Sequence, residues 1–201
     1  PERLADGYPL AAVTLIPESG YRHRAQTARI GWILGSLGFL AGMLVLAAAE
    51  AAEAGKSVTE ILAMLEEMIP RVETSFVLDR LDYMKKGGRC STATALGASL
   101  LKLHPCLDVV DGKLPVTKKY RGSIEKVVAD YLRDRLSGRT DIDHRRCILV
   151  DTAFSDDLAA IARKVLAEVG GFDEVLETKA GCTIFCHCGT NTLGVVFLRK
   201  E

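Results

Sequence analysis

The sequence has no surplus of charge of either sign. Its 26 Lys and Arg residues are balanced by 26 Asp and Glu residues. A sequence-blind nucleic-acid binder needs excess cations to neutralise phosphates, so that class is disfavoured, although a local basic patch is not. No secretory leader pattern opens the chain. No internal repeat and no low-complexity segment interrupts it. The chain begins at Pro1 without a Met and runs almost at once into LAAVTLI (10–16). A domain ordinarily has more in front of such a strand, so an N-terminal truncation is expected. The six cysteines, at 90, 106, 147, 182, 186 and 188, do not read as a disulfide framework. With 201 residues and 48% hydrophobic content the chain can build a core without one, so reduced thiols and a cytoplasmic location are expected.

Positions 30 to 49, IGWILGSLGFLAGMLVLAAA, contain no charged residue. Twenty such positions could cross a bilayer, and Arg22, Arg24 and Arg29 precede them. The glycines at 31, 35, 38 and 42 offer a different reading. They can break the stretch into a short buried strand, WIL, then a turn, then a helix ending at Gly55. Alternating strands and amphipathic helices follow, so the water-soluble reading is preferred and no integral membrane segment is expected.

Ser57 and Glu60 fit a capping box opening a helix that Pro70 stops. VETSFVL (72–78) predicts a strand, and DRLDYMKK a short helix closed by Gly87-Gly88. STATALGASLLKL (91–103) predicts a helix of small residues. CLDVV and KLPVTKKY flank Asp111-Gly112, a hairpin signal. Ser123 and Ser155 stand where they can cap two further helices. RRCILVD, FDEVLET, TIFCH and TLGVVFLRK predict strands. The order implies two α/β units, 1–70 and 71–201, the first incomplete and the second with a mixed sheet. A cleft between two such units is a usual place for a small ligand.

Three stretches carry candidate chemistry. Cys182, Cys186, His187 and Cys188 crowd seven positions like soft metal ligands. On a strand, however, Cys186 and Cys188 would face one side and His187 the other, so no metal site is expected. His187 precedes Gly189 and a hydroxyl-rich turn, which can present an imidazole and backbone amides to an anion. Arg89 follows Lys85-Lys86-Gly87-Gly88 and lies beyond the dipole-capping position that explains the lysines. Lys118-Lys119-Tyr120-Arg121-Gly122 is basic; it reads either as a solvated sheet edge or as a docking patch.

In this order LDYMKKGGR (81–89), TALGASLLKLHPCLDVVDGKLP, KYRG (119–122) and HCGTNTLG (187–194) resemble the DegV family of fatty-acid-binding proteins. The likeness is specific over about 72 to 201 and looser before that. It implies a fold of two α/β domains with a lipid site between them. It also implies a non-enzymatic role: a long-chain fatty acid is bound, and its carboxylate is presented to a separate ATP-dependent fatty-acid kinase that makes the acyl phosphate. The fatty acid is then a ligand, and no cofactor is implied. Carried onto this chain, the resemblance gives Ser19, Arg89, His187 and Gly189 as ligand-binding residues and Lys119 and Arg121 as partner contacts. The departures are specific too. The family's N-terminal Thr-Ser loop has no counterpart, Tyr21 stands in place of Thr, Gly35 in place of Asp, and Thr190-Asn191 in place of Pro-Gly. Two other functions fit the residues: an enzyme, hydrolase or transferase, using His187 with a nearby thiol, and a protein-interaction module using the basic patches.

Overall fold

The computed structural model describes residues 31–86, 103–110 and 114–200. The chain divides into two units between Glu67 and Met68.

In the first unit, α1 is one continuous helix, Gly31–Glu53. The strand expected at WIL is therefore helical. Each glycine costs a helix about 1 kcal/mol, which weakens it without breaking it. The spacing 31, 35, 38, 42 is itself helical and sets all four glycines along one face. The helix closes where Gly55 adopts φ +79 and the amides of Gly55 and Lys56 donate to Ala52 and Ala51, as in a Schellman turn. Among the residues whose side chains are described, no helix is long and apolar enough to cross a membrane. The next helix, α2, is Val58–Met68. Its capping box forms: the Ser57 amide donates to Glu60 Oε2 at 2.7 Å, and the Glu60 amide donates to Ser57 Oγ at 3.4 Å. Those bonds from Ser57 hold the Glu60 carboxyl below its ordinary pKa. Pro70 turns the chain into a short 3-10 segment, Ile69–Arg71.

The second unit is built on β1 (Val72–Val77), β2 (Leu103–Asp108), β3 (Val116–Arg121), β4 (Ile142–Thr152), β5 (Glu174–Lys179) and β6 (Thr192–Arg199). They form one sheet in the order β3-β2-β1-β6-β4-β5. Only β4 and β5 pair in parallel; every other neighbour is antiparallel. The helices are α3 (Asp82–Lys86), α4 (Ile124–Leu136), α5 (Asp156–Val169) and α6 (Cys182–Cys188).

β6 lies at the centre, and all its residues from Thr192 to Leu198 are buried. Leu193, Val195 and Phe197 face the core built with α4 and α5, where Val128, Tyr131, Leu132, Leu158 and Val165 meet them. Each such side chain removed from water contributes about 1.5–3 kcal/mol. The fully buried Tyr131 keeps its hydroxyl satisfied at 2.8 Å from both Oγ and the carbonyl of Ser75. Ser155 caps α5 as expected, accepting from the Leu158 amide at 3.2 Å. Ser123 occupies the cap position of α4, but its hydroxyl makes no cap bond.

The expectation that TIFCH forms a strand is overturned. Residues 182–188 form the helix α6, which joins edge strand β5 to central strand β6. Its opening is backbone-made, the amides of Ile184 and Phe185 donating to Gly181 O.

Candidate functional site

The antiparallel order brings one set of strand ends together. β1 and β3 finish where β2 and β6 begin. The described parts of the stretches singled out by sequence lie at this end of the sheet. α3 follows β1, Arg121 closes β3, and the turn after His187 leads into β6.

That turn is tightly determined. His187 sits in the last turn of α6, half-buried. Gly189 follows with φ +77 and ψ −171, a backbone state essentially confined to glycine. The Tyr83 ring of α3 covers Gly189, so closely that a Cβ there would lie under 3.0 Å from three ring atoms. Thr152, buried at the end of β4, holds the turn from the other side. Its hydroxyl donates to Gly189 O at 2.5 Å and accepts from the Thr192 amide at 2.9 Å. Thr152 O accepts from the Asn191 amide at 2.8 Å. Asn191 takes φ +58, a left-handed state asparagine tolerates better than most residues. Its side-chain amide donates to Asp79 Oδ2 at 3.0 Å. Sequence reasoning missed Tyr83, Thr152 and Asp79. Only Tyr83 had a signal, its place in the run LDYMKKGGR.

Arg121 and Lys119 project from the exposed side of β3, opposite the buried Tyr120. They border a groove of about 870 Å³ between β3 and α4. Lys118, Lys119, Arg121, Lys126 and Arg133 line it against Asp130 and Asp134. Three of those cations are engaged: Lys118 with Asp134, Lys126 with Asp130 at 3.7 Å, and Arg133 with Glu168 at 3.1 Å. Lys119 and Arg121 make no ion pair with any described residue, so the groove presents their charge outward. The strand order separates β3 from β6 by three positions, roughly 14 Å at about 4.8 Å per strand. Arg121 and the His187 turn thus share an end of the sheet without forming one contact set. Ser19 and Arg89 lie outside the described residues.

The helical form of 182–188 also changes the thiol argument. Cys186 and Cys188 no longer share a face opposite His187; they lie on different sides of a helix. Cys182 and Cys186 are exposed and Cys188 is buried. Among the described residues no group of three or more His, Cys, Asp or Glu side chains is placed to hold a metal. Burial pushes the Cys188 thiol up to about 12 and the Cys147 thiol up to about 12. A thiol so protonated at neutral pH is a poor nucleophile, which removes Cys188 from the enzymatic reading. Iodoacetamide at pH 7 is expected to label Cys182 and Cys186 in the native protein and to reach Cys188, Cys147 and Cys106 only after denaturation. Mass mapping of the labelled peptides checks this, and native labelling of Cys188 would restore it as a candidate nucleophile.

Comparison with known proteins bears on the same stretches. Residues 35–200 match the family described as "Uncharacterised protein, DegV family". This chain belongs to the DegV family. The match takes in most of the apolar stretch that opens the described chain. A DegV domain-containing protein of Clostridium acetobutylicum is 34% identical over 161 residues, covering 79% of this chain and 55% of its own length. Among solved structures, a Thermus thermophilus protein reported as "Fatty Acid Binding of a DegV family Protein" aligns with a TM-score of 0.64 at 31% identity. That alignment covers 79% of this chain and 56% of the other. Bacillus subtilis DegV, described as a fatty acid binding protein, aligns at 26% identity with a TM-score of 0.56, covering 79% of this chain and 56% of its own. The chain spans about half the length of the relatives it matches. The mixed α/β fold is that of the DegV proteins.

Proposed function

We propose that this DegV chain is a lipid-binding protein that holds a long-chain fatty acid with its carboxylate beside His187. It offers that carboxylate to a separate ATP-dependent fatty-acid kinase, which makes the acyl phosphate. The observation carrying the reading is the convergence of α3, the Arg121 strand end and the turn after His187 at one end of the sheet, in a chain 31% identical to a fatty-acid-binding relative. The physics is favourable. Burying the tail gains about 0.8 kcal/mol per methylene. The carboxylate needs polar partners, because burial without them costs several kcal/mol. An imidazole and a turn rich in amides and hydroxyls can supply them and leave the head accessible. Ser19 and Arg89 are proposed as further contacts of the head group. Lys119 and Arg121, whose charge faces outward, are proposed to receive the partner. On this reading the chain supplies binding and presentation, and the phosphoryl-transfer chemistry belongs to the kinase.

Native mass spectrometry of the protein purified from cells is the direct test. A mass increment of one long-chain fatty acid is expected, released by organic extraction and diminished in His187→Ala. Folded protein that stays lipid-free after incubation with oleate overturns the reading. Arg121→Ala is expected to retain the lipid while slowing its phosphorylation by the kinase at least tenfold.

A further inference from the structure

His104, the second residue of β2, is 8% exposed and plays no part in the reading above. Its surroundings are set by register. Val77 pairs with Cys106 on one side and with Leu193 on the other. Two residues further along, the same pairings set Asp79 between His104 and Asn191. On its far side His104 pairs with Tyr120. Tyr120, His104, Asp79 and Asn191 therefore form one row across four chain segments, at the end of the sheet that carries the candidate site.

The side chains in this row touch. Asn191 Nδ2 donates to Asp79 Oδ2 at 3.0 Å. His104 Nδ1 is buried without a hydrogen-bond partner and lies 3.5 Å from Asp79 Oδ1, within ion-pair distance. His104 Nε2 lies 3.2 Å from the carbonyl of Gly122, the residue directly after Arg121. Gly122 has φ +127, so its peptide is held in a conformation few other residues adopt. The imidazole thus holds the Arg121–Gly122 turn through Nε2, and its Nδ1 faces the Asp79 carboxylate that holds the turn after His187.

A carbonyl can only accept, so Nε2 must carry a proton. The neighbour of Nδ1 is a carboxylate oxygen, which also accepts. With a neutral ring, a nitrogen lone pair would face that carboxylate. Both contacts are satisfied together only when both nitrogens carry protons. Among the described residues, other titratable groups on the surrounding elements are few. They are Tyr120, held well above its ordinary pKa chiefly by burial, Arg121, Lys126 against Gly122, and the Arg80–Asp82 pair beside Asp79.

We propose that His104 and Asp79 are positioning residues that form a proton-dependent latch, tying the Arg121–Gly122 turn to the Asn191 turn, so that the site holds a carboxylate ligand best while His104 is charged. The latch deepens the fatty-acid reading and rests on it for its ligand. The sign follows from the contacts. Protonation makes the bridge, so the latch is closed while the ring is charged and opens when rising pH removes that charge.

Two measurements test it. The first needs no lipid: NMR titration of the protein, following the His104 ring and the amides of Gly122 and Asn191. Those amides are expected to shift with the same midpoint as the ring, and to stop doing so in His104→Gln. Gln retains a donor for Gly122 O but cannot take a charge. Amides that ignore the ring's titration, or that move unchanged in His104→Gln, overturn the latch. The second measurement is the affinity for cis-parinarate as a function of pH. Wild type is expected to bind severalfold more weakly at pH 8 than at pH 6, while His104→Gln loses that dependence and Asp79→Asn flattens it. A wild-type profile preserved in His104→Gln overturns the link to the ligand. No binding in any variant at any pH overturns the fatty-acid reading alone, and the NMR arm then decides the latch.

Discussion

Gly189→Ala is expected to destabilise the second unit by about 3 kcal/mol and to disorganise the turn after His187. Two costs combine. Holding a residue with a side chain at φ +77 and ψ −171 costs about 1–3 kcal/mol. The new methyl would also meet the Tyr83 ring under 3.0 Å, so α3 or the turn must move. Neither can yield freely, because Thr152 bonds both Gly189 O and the Thr192 amide. Urea denaturation read by circular dichroism checks the magnitude. Tyr83→Ala in the same background is expected to recover the steric part and leave the backbone part, giving a coupling of about 1 kcal/mol or more. A loss below about 1 kcal/mol would mean that the turn relaxes, contrary to the bonds described. On the proposed function, lipid retention should fall in parallel, since this turn directly follows His187.

The second large effect is expected at Arg135. This α4 residue reaches β2 and β3, where its guanidinium contacts Asp108, Cys106 Sγ at 3.1 Å and Thr117 Oγ1 at 3.3 Å. The Arg135 and Asp108 side chains are 17% and 20% exposed, so the pair is largely dry. Breaking a fully buried pair costs about 3–5 kcal/mol, mostly for the abandoned charge. With this residual exposure Arg135→Met is expected to cost about 2–3 kcal/mol in denaturant unfolding. Asp108→Asn added to Arg135→Met removes that stranded charge and is expected to restore at least half of the loss. If the double variant is no better than the single, packing rather than charge explains the defect. The β2–β3 pair, which carries Arg121, is held to α4 partly by this contact.

Much of the fold was legible because local chemistry and tertiary structure agree. VETSFVL, the strands flanking Asp111-Gly112, and the caps at Ser57 and Ser155 each rest on short-range rules the structure obeys. Residues 182–188 were misread because Thr, Ile and Phe favour strands, whereas a compact helical link between β5 and β6 decides their conformation. The glycines of α1 misled in the opposite direction. Glycine alone predicts a break, whereas their spacing is helical. His187, Lys119 and Arg121 were singled out by their chemistry and their order, and their roles stand as part of the proposed function. The row through Asp79, His104 and Asn191 could not be, since it exists only once three strand registers are fixed.

The central position of β6 has a consequence for biosynthesis. The strand that joins β1 to β4 is encoded more than a hundred residues after β1. Until it has left the ribosome, the β1–β2–β3 and β4–β5 portions have no common partner, and both wait with apolar edges uncovered. Nascent chains arrested before residue 192 should therefore recruit chaperones and yield to protease, and chains carrying an added C-terminal linker long enough to bring β6 out of the ribosome should not.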